Sequence, residues 1–409
     1  MSTLTYRTAG ESHGPALLIL VDGLPARVPV DTDFIDAELR RRQGGYGRGG
    51  RQKIETDVVT FLTGVRRGAD NVRRTIGSPI AMSIPNKDNR LDDPSKTPPL
   101  AQPRPGHADL AGSIKWLTTD CRETLERASA RETASRVAAG ALARCFLKEF
   151  GIQVLGFVRE VGPARASVPE LDAPQAQAHG NAVGFEKTLN DLKTRRDADD
   201  LYCPDHTASA TMREFVQQMK VNKDTAGGVV ECHVFGCPIG LGSSMNGSDR
   251  LDGKIAGAVM SIQAFKGVEI GLGFETARLP GSKVHDEIFF DGALRNTPLL
   301  GFARGSNNAG GLEGGMTNGM PVVVRGAMKP ISTLGKPLRS IDLNTKKPTE
   351  AGWERSDISA ISAASVVMEN VIAFEIAKAL LEKFGGDSID ETKANYDLFL
   401  QTARKLPLA

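Results

Sequence analysis

The sequence predicts an α+β fold in which two long helices lie buried between sheets. Strand-like runs recur along the chain, at 16–21, 54–60, 80–84, 152–158, 229–235, 268–274, 287–291 and 321–325. Helical patterns are fewer and longer, and the two longest, 125–150 and 361–384, are crowded with small side chains. Aromatic residues make up 5% of the chain against 40% hydrophobic, with 44 glycines. The core must therefore be built from aliphatic and small residues, with many tight turns.

In chain order, the first helical pattern covers 33–42, where Phe34, Ile35, Ala37 and Leu39 recur at helical spacing. It stops at Gly44-Gly45, a C-terminal signal. The 125–150 helix carries Ala128, Ser129, Ala130, Ala134, Ser135, Ala138, Ala139 and Gly140. The last one carries Ser362, Ala363, Ala364, Ser365, Ala373 and Ala377 and ends at Gly385-Gly386. Small residues let helix axes approach closely, which places both helices at the centre. Residues 163–223 are rich in Ala, Pro, Gln, Lys and Asp with weak hydrophobic periodicity. The stretch 168–219 reads as a peripheral, partly helical insertion.

Net charge is +2 and the pI is near 8.2, too balanced for nucleic-acid binding by the whole surface. The first residues lack the charged start and apolar run of a secretory leader, and the apolar run 16–21 is too short to span a bilayer. Five scattered cysteines suggest free thiols in a reducing cytoplasm. Cys232-His233-x-x-x-Cys237 resembles a metal motif, but it falls in a strand whose successive side chains face opposite ways. No second ligand pair has zinc-like spacing, so no metal site is expected.

Six segments carry chemistry. His13 lies in Gly-Glu-Ser-His-Gly and His107 in Arg-Pro-Gly-His-Ala-Asp; histidine moves protons near neutral pH, and flanking glycine lets backbone approach a ligand. Between them runs Arg-Arg-Arg-Gln-Gly-Gly-Tyr-Gly-Arg-Gly-Gly-Arg (40–51). Arg40, Arg41 and Arg42 could simply complement the helix dipole, but Arg48 and Arg51 sit in a glycine loop where guanidinium forks suit carboxylate or phosphate. An RNA-binding tail would use similar Arg-Gly tracts; this one is short, internal and followed by a strand. Arg127 and Arg131 share a helix face, and on a buried helix they require anionic partners. The glycine-rich 307–321 stretch could cradle an anion with backbone amides. Finally, 328–334 and Arg355-Ser356-Asp357 precede the last long helix, where Ser356 or Asp357 could cap and the helix N-terminus could take phosphate. Neither a dinucleotide fingerprint nor a P-loop occurs.

These segments, in order along nearly the whole chain, resemble the chorismate synthase family at 10–14, 41–51, 104–109, 127–136, 224–228, 267–275, 307–321, 328–334 and 355–357. The resemblance implies a single domain over 1–409, built as a β-α-β sandwich with long helices between two antiparallel sheets. It implies a lyase that eliminates phosphate and a ring proton from 5-enolpyruvylshikimate-3-phosphate, giving chorismate, with reduced FMN (FMNH2) as cofactor. A cytoplasmic homotetramer is implied too, and the lack of an appended reductase domain favours an external flavin reductase over NADPH-driven reduction by this chain.

Roles follow from the same resemblance. Arg42, Arg48, Arg104 and Arg131 would hold the phosphate and two carboxylates of the substrate. His107 would protonate departing phosphate, His13 would act on the reduced flavin, and Asp357 would support removal of the ring proton. Cofactor contacts map to Ser129, Ala130, Arg131, Gln263, Ala264, Gly314, Lys329, Thr333, Arg355 and Ser356. Gln263 stands where many family members carry asparagine; both offer an amide, at different reach.

Overall fold

Two antiparallel sheets face each other across a layer of helices. The computed structural model describes residues 3–49, 55–172, 185–352 and 357–407. Sheet one contains β1 (Thr5–Ala9), β2 (Ala16–Asp22), β3 (Thr60–Phe61) and β4 (Ile80–Pro85), in the order β1-β2-β4-β3. Along β2, Leu17, Ile19 and Val21 turn inward, while Leu18 and Leu20 face solvent, the period of a sheet with one buried face. Sheet two contains β5 (Gln153–Val161), β6 (Ala164–Arg165), β7 (Gly228–Phe235), β8 (Phe265–Ile270) and β9 (Val322–Met328), in the order β8-β9-β7-β5-β6.

The helices longer than one turn, in chain order, are α1 (Thr32–Gln43), α2 (Asp109–Lys115), α3 (Arg122–Ala128), α4 (Thr133–Lys148), α5 (Phe185–Ala198), α6 (His206–Val221), α7 (Leu251–Met260), α8 (Ile361–Phe384) and α9 (Ile389–Ala403). The pair α4 and α8 runs through the centre, α4 against β2 and β5, α8 against β5 and β7. Their small residues do what the sequence predicts. At Gly140 a Cβ would stand 2.2 Å from the Asn370 carbonyl oxygen, so only glycine permits this approach.

Sheet two is buried on both faces at its centre. Val230, Cys232 and Val234 join the main core, while Phe235 joins Leu155, Phe157, Leu189 and Leu192 in a second cluster. His233 points to that second side, stacked between Phe157 and Phe235. Alternation thus separates Cys232 from His233. Helix α5, from the 168–219 stretch, supplies Leu189 and Leu192 to this outer cluster, and α6 supplies Met212 and Val216 to the main core. Among the described residues no helix is long and apolar enough to cross a membrane, no cluster of His, Cys, Asp and Glu could hold a metal, and all five cysteines are buried and free.

Three expectations change. The 125–150 helix is not continuous: α3 stops at Ser129, whose backbone is extended, and a 3-10 turn over Ala130–Glu132 leads into α4. The 54–60 strand shrinks to Thr60–Phe61, with residues 51–54 outside the described residues. Its burial still alternates, Glu55, Asp57 and Val59 inward, but side chains of α1 replace the ladder. Gln43 Nε2 donates to the Glu55 carbonyl, and Gln43 Oε1 and Asp36 accept from the Asp57 and Val59 amides. The 268–274 strand turns at Gly271 and Gly273, both at φ +59°, into a 3-10 turn.

Gly140→Ala should fold but lose about 1–3 kcal/mol, the usual cost of overpacking. A thermal melt followed by circular dichroism checks it; an unchanged Tm would mean that α4 and α8 can separate freely.

Candidate active site

Helix α1 starts where the Asp31 carboxylate accepts the Phe34 amide and ends where Gly44 N–H donates to the Arg40 and Arg41 carbonyls. Glycine is required just after it, since Gly45 has φ +112° and a Cβ there would stand 2.5 Å from that of Ser362. The three terminal arginines take different fates. Arg40 is exposed. Arg41 turns into the helix layer, with Nη1 2.6 Å from Glu38 and Nη2 2.6 Å from Glu369. Arg42 turns into a second buried cluster. A dipole role therefore accounts for neither Arg41 nor Arg42.

That second cluster is centred on Asp57, which is fully buried. Arg42 Nη2 donates to it at 2.7 Å, and Arg131 Nη1 reaches both of its oxygens at 2.7 Å. Burial alone would raise the Asp57 carboxyl, but Arg42 and Arg131 outweigh that and hold it below its ordinary value. Burial lowers Arg42, partly offset by Asp57, with Arg131 and Arg48 adding repulsion. Arg48 pairs with Asp357 at 2.8 Å, and Asp357 also accepts the Gly49 amide. Asp357 thus ties down the glycine loop and does not cap α8, whose N-cap is Ala360; Arg51, Arg355 and Ser356 lie outside the described residues. Among the described residues Arg42 Nε, Arg48 Nε and Arg131 Nη2 are buried with no hydrogen-bond acceptor, Arg131 Nη2 lying 3.9 Å from Glu55 Oε2. Two guanidiniums share one carboxylate with donors to spare.

Arg127 does not join them. The break at Ser129 turns it away, and it donates to the carbonyls of Gly10 and Thr8.

Asn86 connects the arginines to the His13 loop. Its Oδ1 accepts from Arg131 Nε at 2.9 Å, and its Nδ2 donates to the Gly14 carbonyl at 2.8 Å. His13 is buried, with Nδ1 2.9 Å and 3.0 Å from the two Glu126 oxygens and its backbone N–H 2.9 Å from Glu126 Oε2. Burial would raise the Glu126 carboxyl; His13 and Arg122 outweigh it and bring it below its usual value. Ser12 and Ser129 stand 3.1 Å apart beside them.

His107 repeats this pattern. Its Nδ1 pairs with the fully buried Asp109, which Arg104 grips through Nε at 2.8 Å and Nη2 at 3.0 Å. Burial, which alone would raise Asp109, is overcome by His107 and Arg104, so its carboxyl sits well below the usual range. Arg104 Nη1 also donates to Thr333 Oγ1 at 3.1 Å. Lys329 Nζ donates to the Gly106 carbonyl at 2.7 Å, and its amide to the Ala264 carbonyl at 2.9 Å. Burial, then neighbouring Lys266, lowers the Lys329 ammonium.

Ala264 has φ +70°, a conformation costly for a residue with a Cβ and common where function requires strain. Beside it Gln263 donates through Nε2 to Glu132 at 3.0 Å, while its Oε1 is buried without a donor among the described residues. Ala130 lies in the 3-10 turn between Ser129 and Arg131. Gly314 is placed elsewhere, at φ +58° in the hairpin turn between Leu312–Glu313 and Met316–Thr317, near Ser244 and Met316. In the 307–321 loop the anion is the chain's own: Asp286 accepts from the Asn308 and Ala309 amides.

Sequence reasoning did not single out Asp57, Asn86, Asp109 or Glu126. Asp109 lies inside a motif already noted, and a carboxylate two residues from a glycine-flanked histidine is a signal in itself. Asp57 was hidden in what looks like a strand.

Asp57→Asn should lose about 3 kcal/mol or more, since it leaves two buried guanidiniums without a counter-charge. Added inorganic phosphate should raise the Tm of this variant more than that of the wild type; equal responses would argue against the cluster as an anion site.

The family model described as chorismate synthase matches residues 4–381. Curated proteins named chorismate synthase are similar throughout: 49% identical in Desulforamulus reducens, over 98% of this chain and 100% of that protein, and 50% in Desulforudis audaxviator, over 98% of each. A solved structure titled as the crystal structure of chorismate synthase aligns with a TM-score of 0.77 at 38% identity, over 99% of this chain and 100% of its own. Fold, order of motifs and similarity over the full length agree: the chain belongs to the chorismate synthase family, lyases of the shikimate pathway.

Proposed function

We propose that the site described above takes 5-enolpyruvylshikimate-3-phosphate and releases phosphate and a ring proton in a 1,4-elimination that gives chorismate. The observation that carries this assignment is the set of buried donors on Arg42, Arg48 and Arg131 that make no hydrogen bond among the described residues, in a chain with two histidines each backed by a buried carboxylate. A substrate with one phosphate and two carboxylates needs such donors, and a guanidinium meets each group with a planar fork. Arg42, Arg48 and Arg131 with Arg104 hold and orient it.

The residues also fit reduced FMN. Among the described residues Gln263 Oε1 is an orphaned acceptor suited to a ring N–H, Ala264 holds strained backbone beside it, and the Lys329 ammonium, lowered by burial and bonded to the Gly106 carbonyl, would gain a counter-charge from an anionic phosphate. Ser129, Ala130, Arg131, Thr333, Arg355 and Ser356 complete the proposed contacts, with Gly314 the most distant in its surroundings. When bound, reduced FMN supplies electron density that assists loss of phosphate and a base for the ring proton. His107, with Nδ1–H spent on Asp109, presents Nε2 to the departing phosphate and gives it a proton, which lowers the charge of the leaving group. With reduced FMN bound, the His13 ring would stabilise negative charge on it. Asp357 holds Arg48 and the glycine loop in place and supports proton removal.

The flavin arrives already reduced, from an external reductase and not through NADPH bound here. The chain works as one unit over 1–409 in the cytoplasm, as a homotetramer; the exposed apolar side chains Ile288, Phe289, Phe290 and Phe302 support assembly.

His107→Ala and His13→Ala should each lower kcat about 10²–10⁴-fold with unchanged circular dichroism. Full turnover in both, at saturating substrate and reduced FMN, would remove the acid–base roles. Arg48→Ala should raise KM more than it lowers kcat, and unchanged values of both would end its assignment. An anaerobic assay with reduced FMN should release chorismate and phosphate equally, and none with oxidised FMN plus NADPH; product in the second case would assign the reductase function to this chain.

A further inference from the structure

We infer that Glu126 is a positioning residue that fixes the tautomer of His13, so that His13 works through Nε2 alone. This rests on the reading of His13 as a group that acts in the reaction. Glu126 sits in the last turn of α3, its side chain 1% exposed. One carboxylate serves two donors from the same residue, the His13 backbone N–H at 2.9 Å and Nδ1 at 2.9 Å and 3.0 Å. The backbone group can only donate, and a carboxylate can only accept, so Nδ1 must carry a proton in every charge state of the ring.

Nε2 is then the one ring nitrogen that changes. Arg90 Nη2 stands 3.1 Å from it and Asp88 Oδ2 3.7 Å. In the neutral ring Nε2 accepts from Arg90. When a proton arrives there, Arg90 must give way and the new N–H turns toward Asp88, itself 3.2 Å from Arg90 Nε. The charged groups around the ring are thus Glu126 and Arg122 from α3, and Asp88 and Arg90 from the segment after β4. The break at Ser129 serves the same end: it stops α3 just past Glu126, while the Glu126 carbonyl accepts the Ser12 amide.

The clearest perturbation is Glu126→Gln. Its single carbonyl oxygen must meet the backbone N–H, which leaves the amide NH2 facing Nδ1. Nδ1 then becomes an acceptor and the ring proton moves to Nε2, where it confronts Arg90. Nitrogen-15 NMR of histidine-labelled wild type should show Nδ1 protonated in the neutral ring of His13, identified by its absence in His13→Ala. Glu126→Gln should show the opposite tautomer, a kcat at least about tenfold lower with KM little changed, and a pH–rate profile displaced about one unit toward acid by loss of the negative charge. Glu126→Asp keeps two acceptor oxygens and should recover the wild-type tautomer and part of kcat.

A wild-type ring protonated at Nε2 overturns the proposal whether or not any variant folds. So does a folded Glu126→Gln with wild-type kcat and pH profile while His13→Ala is inactive. Full activity in His13→Ala would instead remove the role of His13 itself, a separate outcome.

Discussion

The structure depends on burying arginine charge at its centre and finding carboxylates for it. Arg41, Arg144 and Arg196 converge on Glu38 and Glu369 between α1, α4, α5 and α8. Burial alone would raise the Glu38 carboxyl, yet Arg144 and Arg41 bring it down to about 2. Arg41 in turn lies above its ordinary value, because Glu369 and Glu38 outweigh its desolvation. Such pairs contribute little net stability against an apolar core, but losing one member is costly. Their effect is to set the angle and depth at which α1 meets the two central helices.

The site follows from that placement. Arg42, one residue along from Arg41, lies about 100° further round the helix and reaches Asp57. In the core network three guanidiniums share two carboxylates, and among the described residues Arg41 Nε is its one buried donor without a hydrogen bond. Around Asp57 three such donors gather, on Arg42, Arg48 and Arg131. That surplus of cationic donors in one place marks the second cluster as the candidate anion site. Both are built from the last turn of one helix.

The interruption between α3 and α4 has a similar dual role. A continuous helix would place Arg127 and Arg131 on one face. The extended backbone at Ser129 sends Arg127 to the β1–β2 connection and Arg131 to Asp57, and it brings Glu126 to His13. His13 and His107 come from segments far apart in sequence, yet each meets a buried carboxylate on the same ring nitrogen. For His107 that carboxylate is two residues away; for His13 it is 113 residues away.

The separation decides what could be read in advance. Local features were legible: α1 with its cap and glycine stop, the small-residue helices, most long strands, and the histidines and arginines in glycine-flanked segments. Each rests on spacing within one segment, where side-chain period and backbone preference act directly. Glu126 behind His13, Asp57 between two arginines, and Asn86 joining the two groups were decided by tertiary structure. No periodicity marks them, because a buried charge selects its partner by distance in space. The 54–60 stretch makes the same point from the other side: its alternation is written in the sequence, but whether strand neighbours or the side chains of α1 satisfy its backbone depended on how the helix packed.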